Sequence, residues 1–144
     1  MIATTNRLTL INMQDKLMAM GATDVLIGEP KSAMQDGVVA IIPTSGHIDE
    51  TTLTNPREVH IVVLRRYAPF LQEPQQNIEF AMDAWRAQIQ ADIFGNFTLG
   101  GTVGYALPTQ FQWAYGYQTV ETFVYRILDL TVAYRIDDNA PFGA

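Results

Sequence analysis

Between Glu58 and Leu64, Val59, Ile61 and Val63 alternate with Glu58, His60, Val62 and Leu64. Period-2 spacing with β-branched residues predicts a pleated, half-buried strand that stops at Arg65-Arg66. On that reading His60 points outward from the strand. Beyond Pro69 and Pro74 the period changes. Ile78, Met82, Trp85, Ile89 and Ile93 follow at steps of four, three, four and four, which aligns them as one stripe on a helix. Arg86, Gln88, Gln90 and Asp92 lie off the stripe, and Gly95 is the expected stop after the last turn. The stripe is expected to be core. A turn over Thr98-Leu99-Gly100-Gly101-Thr102 follows it.

The same patterns partition the rest of the chain. Thr4 and Thr5 are N-cap candidates for a first helix whose apolar positions are Leu10, Met13, Leu17 and Met20, closed by Gly21. Asp24–Gly28 and Val38–Ile42 are short β-branched runs, read as a strand pair joined by a long loop. From Pro43 to about residue 58 the chain is rich in Thr, Ser, Gly and Asp, with Ile48 and Leu53 the apolar exceptions up to Pro56. That composition predicts a long loop arm. Phe111, Trp113, Tyr115 and Tyr117 alternate with polar and small residues as an aromatic strand in which Gly116 suggests a bulge. From Val120 to Ile136 runs the longest β pattern, with Leu128, Leu130, Val132 and Tyr134 on one face. Phe123, Tyr125 and Ile127 are in the opposite phase, so a bulge near Ile127-Leu128 is expected to bring both sets to one side. Residues 137–144 read as a loose tail. The order of elements predicts one α+β domain over 1–144, a mostly antiparallel sheet with two helices packed on one face and a long loop arm.

Composition narrows the function classes. The chain has 144 residues, 48% hydrophobic and 17% charged, and no apolar run near the ~20 residues of a membrane span. Met1–Arg7 lacks the basic and apolar regions of a secretory signal. With no cysteine there are no disulfides and no thiolate ligands, which suits synthesis in a cytoplasm. The net charge of −6 argues against tight, sequence-independent phosphate binding. Seven of the basic residues are Arg, leaving Lys16 and Lys31. Arg is enriched in protein interfaces where Lys is depleted, so the ratio leans toward an assembling protein.

No pattern assembles catalytic chemistry. His47 beside Asp49 and Glu50 could bind a metal or move protons, but no second ligand follows at fixed spacing, and a solvated loop histidine accounts for it better. Glu79 and Asp83, one helical turn apart, read as a solvated helix face. Asp129 with Asp137-Asp138 is a carboxylate grouping of the same bland kind. Ser32 and Ser45 both fall in loops, and a Gly-Xaa-Ser-Xaa-Gly elbow is absent. Gly100-Gly101-Thr102-Val103-Gly104 lacks the Lys of a phosphate loop and precedes strand-like residues, so it reads as a tight turn. No cofactor and no metal is expected.

Four features in one order resemble the tail terminator (tail completion, neck-type) proteins of long-tailed phages and related tail-like particles. They are the strand Val59–Leu64 ending in Arg65, the helix Ile78–Ile93, the turn Thr98-Leu99-Gly100-Gly101-Thr102-Val103, and the strand with Val124-Tyr125-Arg126 running through Leu130-Thr131-Val132. The turn is the most specific of the four. The arm matches no family residue, and Thr122-Phe123 stand where a glycine often precedes the Tyr-Arg pair. The resemblance implies a virion protein of the tail or neck, made in the host cytoplasm. It implies a subunit of a hexameric ring that caps the tail tube protein, stops its growth and meets the head connector or stopper protein. DNA would pass through the lumen without specific binding, and six copies would carry roughly −36 in total. Expected contacts with other subunits or partners are Arg65, Arg66, His47, Asp49, Glu50, Arg126 and Arg135. Another connector or a tail-tube-like protein is the alternative within that class. A small ligand-binding module or enzyme using the groove between helices and sheet is the alternative outside it.

Overall fold

A computed structural model describes residues 5–32, 35–49, 57–69, 75–96, 105–113, 118–120 and 123–136. The elements are α1 (Thr5–Ala19), β1 (Asp24–Ile27), β2 (Val38–Asp49), β3 (Arg57–Pro69), α2 (Gln75–Asn96), β4 (Tyr105–Trp113), β5 (Gln118–Val120) and β6 (Phe123–Ile136). Among the described residues six strands form one sheet in the order β1-β2-β3-β6-β4, with β5 paired to the start of β6. All pairings are antiparallel except β1 with β2. The fold is α+β, as the alternation of patterns requires.

Both helices lie on one face of the sheet. Met13 and Leu17 from α1 and Ile89 from α2 share a buried cluster with Val39, Ile41, Val62, Leu64, Leu130 and Val132. Ile78 and Met82 pack with Ala68 and Leu128 in a neighbouring cluster, and half-buried Trp85 bridges the two. Four positions of the helical stripe therefore face the sheet; the side chain of Ile93 lies outside the described set. At the end of α1, Gly21 adopts φ +99. There Ala22 N–H donates to Leu17 O (3.2 Å) and Gly21 N–H to Met18 O (3.1 Å), satisfying carbonyls the helix leaves open. Gly95 does not stop α2, which continues to Asn96. Helical backbone accepts glycine at about 1 kcal/mol relative to Ala, so the residue type alone does not end it.

Several expectations are corrected by strand register. The expected pair of β1 and β2 is present, and it is parallel, with Asp24 opposite Val38. The described part of the arm is strand: β2 continues from Pro43 to Asp49, paired to Arg57–Val62 of β3, with a bulge between Pro43 and Ser45, and residues 50–56 lie outside the described residues. Its polar residues form a strand because β3 supplies the hydrogen bonds, whatever their propensity. β3 runs past Arg65-Arg66 to Pro69. Its inward set is Val62 and Leu64, opposite Val132 and Leu130, which puts Val59, Ile61 and Val63 on the other face, half-buried. Register between β3 and β6 is unbroken through Tyr67↔Ile127 and Arg66↔Leu128, so no bulge lies at Ile127-Leu128. The opposite phase is real: Tyr125 and Ile127 join Tyr67 and Ala40 in a second buried cluster on the outer face. There the Tyr67 and Tyr125 rings meet edge to face at 5.9 Å.

Thr4, the turn residues Thr98, Leu99, Gly100 and Gly101, the Tyr115–Tyr117 end of the aromatic pattern with Gly116, and residues 137–144 lie outside the described residues.

Candidate assembly interface

β2 outruns its edge neighbour β1, while β3 stays paired with β6 as far as Glu58. β1 accompanies β2 only from Val38 to Ile41, where Gly28 N–H donates to Ile41 O at 2.8 Å. From Pro43 to Ile48 every residue is exposed, and Ile48 leaves 64% of its surface in water. Thr44, the extra residue of the bulge, returns its hydroxyl to Ile61 O at 3.0 Å. His47 lies opposite Val59, which in turn lies opposite Arg135, so these three occupy one row across β2, β3 and β6. Asp49 ends β2 opposite Arg57. Glu50 lies outside the described residues.

The arginines divide between the two faces of the sheet. Arg65 and Arg135 share the outer face with Asp129. Arg65 opposes Asp129 directly across the strands and holds it with two bonds, Nε to Oδ1 at 2.7 Å and an Nη to Oδ2 at 2.9 Å. That paired carboxylate raises the guanidinium above its already high ordinary pKa. Beside it the Tyr67 hydroxyl is buried, without reaching hydrogen-bond geometry among the described residues. Burial raises its pKa, while Arg65 pulls the other way.

Arg66 and Arg126 face the helices. Arg126 grips Glu79 at 2.8 Å, fastening the first turns of α2 to β6. Glu79 is therefore a tether and not a solvated acid. Arg66 lies 3.8 Å from Asp36 and lines a cavity of about 220 Å³ between the helices. Leu17, Met20, Ala81, Ala84, Trp85 and Ile89 supply most of its apolar wall.

His60 also faces the helices, contrary to the outward reading. Its ring stacks on Tyr134 with centroids 5.4 Å apart, and Nε2 lies 2.8 Å from Glu58 Oε1. Tyr134 in turn donates to Asn6 Oδ1 at 2.5 Å, tying β6 to the start of α1. Burial, with Glu58 nearby, pushes the Tyr134 phenol well above its ordinary value. Gly46 makes room for this stack, since a Cβ there would lie 3.3 Å from His60 Nδ1. Single residues carry no signal for this chain of contacts, because it depends on the β2–β3–β6 register.

Among the described residues no group of three or more His, Cys, Asp or Glu is arranged to hold a metal ion. No described helix is long and apolar enough to cross a membrane. No protein-family model and no curated protein matches the chain.

Proposed function

We propose that the protein is a structural subunit of a ring at the head–tail junction of a phage or phage-like particle, with the role of a tail terminator. The ring caps the tail tube, ends its polymerisation and joins it to the head connector while DNA passes through. The observation that carries the reading is the edge of β2 past the end of β1, which sets an exposed apolar residue, Ile48, on a stretch with no second strand partner among the described residues. Open edge strands of this kind are contact elements. The strand–helix–strand order behind the sequence resemblance, β3, α2 and β6, supports it further. On this reading Arg65 and Arg126 act within the subunit, and Ile48, His47 and Arg135 are the residues offered to neighbours.

Sedimentation velocity across a concentration series, with negative-stain microscopy of the largest species, tests the proposal. Weak association that gives way to closed six-fold rings at high concentration or on tube ends is expected. A compact dimer at every concentration contradicts it. The cavity beside Arg66 favours a second reading, a module binding a small carboxylate or other anion. At about 220 Å³ it is smaller than the ~300–1,000 Å³ of ordinary ligand sites, which weighs toward the structural role.

A further inference from the structure

An antiparallel sheet that ends in water leaves a row of backbone N–H and C=O groups open to any extended chain, and proteins usually blunt such an edge with Lys, Pro or a bulge. In β2 those devices sit at the base of the arm. Pro43 and the bulge between Pro43 and Ser45 come directly after the point where β1 stops. Beyond them, Ser45-Gly46-His47-Ile48-Asp49 carries no Lys and no Pro. Along this stretch β2 pairs with β3 on one side and, among the described residues, with no strand on the other. At the opposite end of the sheet β4, nine residues long, contains no charged residue and pairs with β6 alone among the described residues; Pro108 and the bulge between Pro108 and Gln110 interrupt it, leaving Gln110–Trp113 as its stretch free of those devices.

Two open edges at opposite ends of one sheet form a head-to-tail contact, and a head-to-tail contact generates a ring when its rotation closes. We propose that the outer edge of β2 over Ser45–Asp49 pairs with the outer edge of β4 in a second copy, which continues the sheet from subunit to subunit. The inference rests on the ring reading above and names the surfaces that make the ring. Backbone hydrogen bonds supply the contact, and Ile48 gives up its exposed surface to the neighbour.

Hydrogen exchange with mass spectrometry on the full chain, dilute and assembled, with assembly followed by sedimentation, tests this pairing. On assembly, amides in 45–49 and in 105–113 are expected to slow together by at least about tenfold, as open edges become paired ladders. Rings that form while residues 45–49 exchange at the dilute rate overturn the pairing and leave the ring intact. Protection of 45–49 without protection of 105–113 means that arms pair with each other, and also overturns it. Failure to assemble at any concentration or on tube ends removes the ring reading and this contact with it. A second arm uses the double variant Ser45→Lys with His47→Lys, both at exposed positions. Its melting curve and circular dichroism are expected to match the parent while the concentration needed for assembly rises at least about tenfold. Assembly at the parent concentration overturns the proposal.

Discussion

Truncating Asp129 to Ala removes the carboxylate that holds Arg65 on the outer face of the sheet. The two partners keep 20% and 24% of their side-chain surface exposed, between a solvated pair and an enclosed one. Solvated pairs contribute about 0–1 kcal/mol, and removing one member of an enclosed pair costs about 3–5 kcal/mol. The bidentate geometry, at 2.7 and 2.9 Å, lies toward the stronger side. A loss of about 2 kcal/mol follows, which for a chain of this length lowers Tm by about 6 °C. Urea unfolding of Asp129→Ala, Arg65→Met and the double variant measures it as a cycle, and the coupling is expected at about 1–1.5 kcal/mol. Because the pair is internal to one subunit, the loss is independent of protein concentration. A coupling below about 0.3 kcal/mol, within the additivity of independent sites, refutes the assignment of Arg65 to an internal clamp.

Other substitutions probe the remaining joints. Met82 is fully buried between α2 and the sheet, whereas Trp85 is half-buried beside an open cavity. Met82→Ala is expected to cost about 3–4 kcal/mol and Trp85→Ala about 1–3 kcal/mol, and the reverse order in urea unfolding would contradict the packing described. Gly37 has φ +85, and a Cβ there would lie 2.7 Å from Thr23 Oγ1. Gly37→Ala is expected to lower stability by at least about 1–2 kcal/mol, with an unchanged melting curve as the refuting result. Tyr134→Phe loses the bond to Asn6 and about 0.5–1.5 kcal/mol at neutral pH. The folded phenol titrates above its ordinary value near 10, so the parent keeps the Tyr134 contribution below pH 10 and loses it as pH rises beyond. The variant should show a shallower decline of stability between pH 10 and 11, and an equally steep decline would exclude this tyrosine as its source.

The sequence patterns read best where a period persisted. The stripe Ile78, Met82, Trp85 and Ile89 and the run Leu128–Tyr134 each repeat long enough to define a face, and both pack as the spacing requires. They failed where two faces are apolar at once. Val62-Val63-Leu64 is continuous, so the phase of β3 was set by its partners Leu130 and Val132 and not by alternation. The opposed phase of Tyr125 and Ile127 likewise marks a second buried cluster, since apolar residues on two sides of a strand look locally like a register slip. Pro43–Asp49 read as loop because its residues are poor strand formers, and only the hydrogen bonds from β3 make it a strand. The candidate contacts were legible as residue types. Their partners were not: Arg65 with Asp129 and Arg126 with Glu79 are separated by 64 and 47 positions, a distance no local pattern spans.

Cryo-electron microscopy of the particle that carries this chain tests the central claim most directly. The account predicts a closed six-fold ring of the subunit at the head-proximal end of the tail tube, with the β2–β3 hairpin of each copy at a neighbour. Density for the chain away from that junction, or as an isolated subunit with its hairpin in solvent, contradicts it.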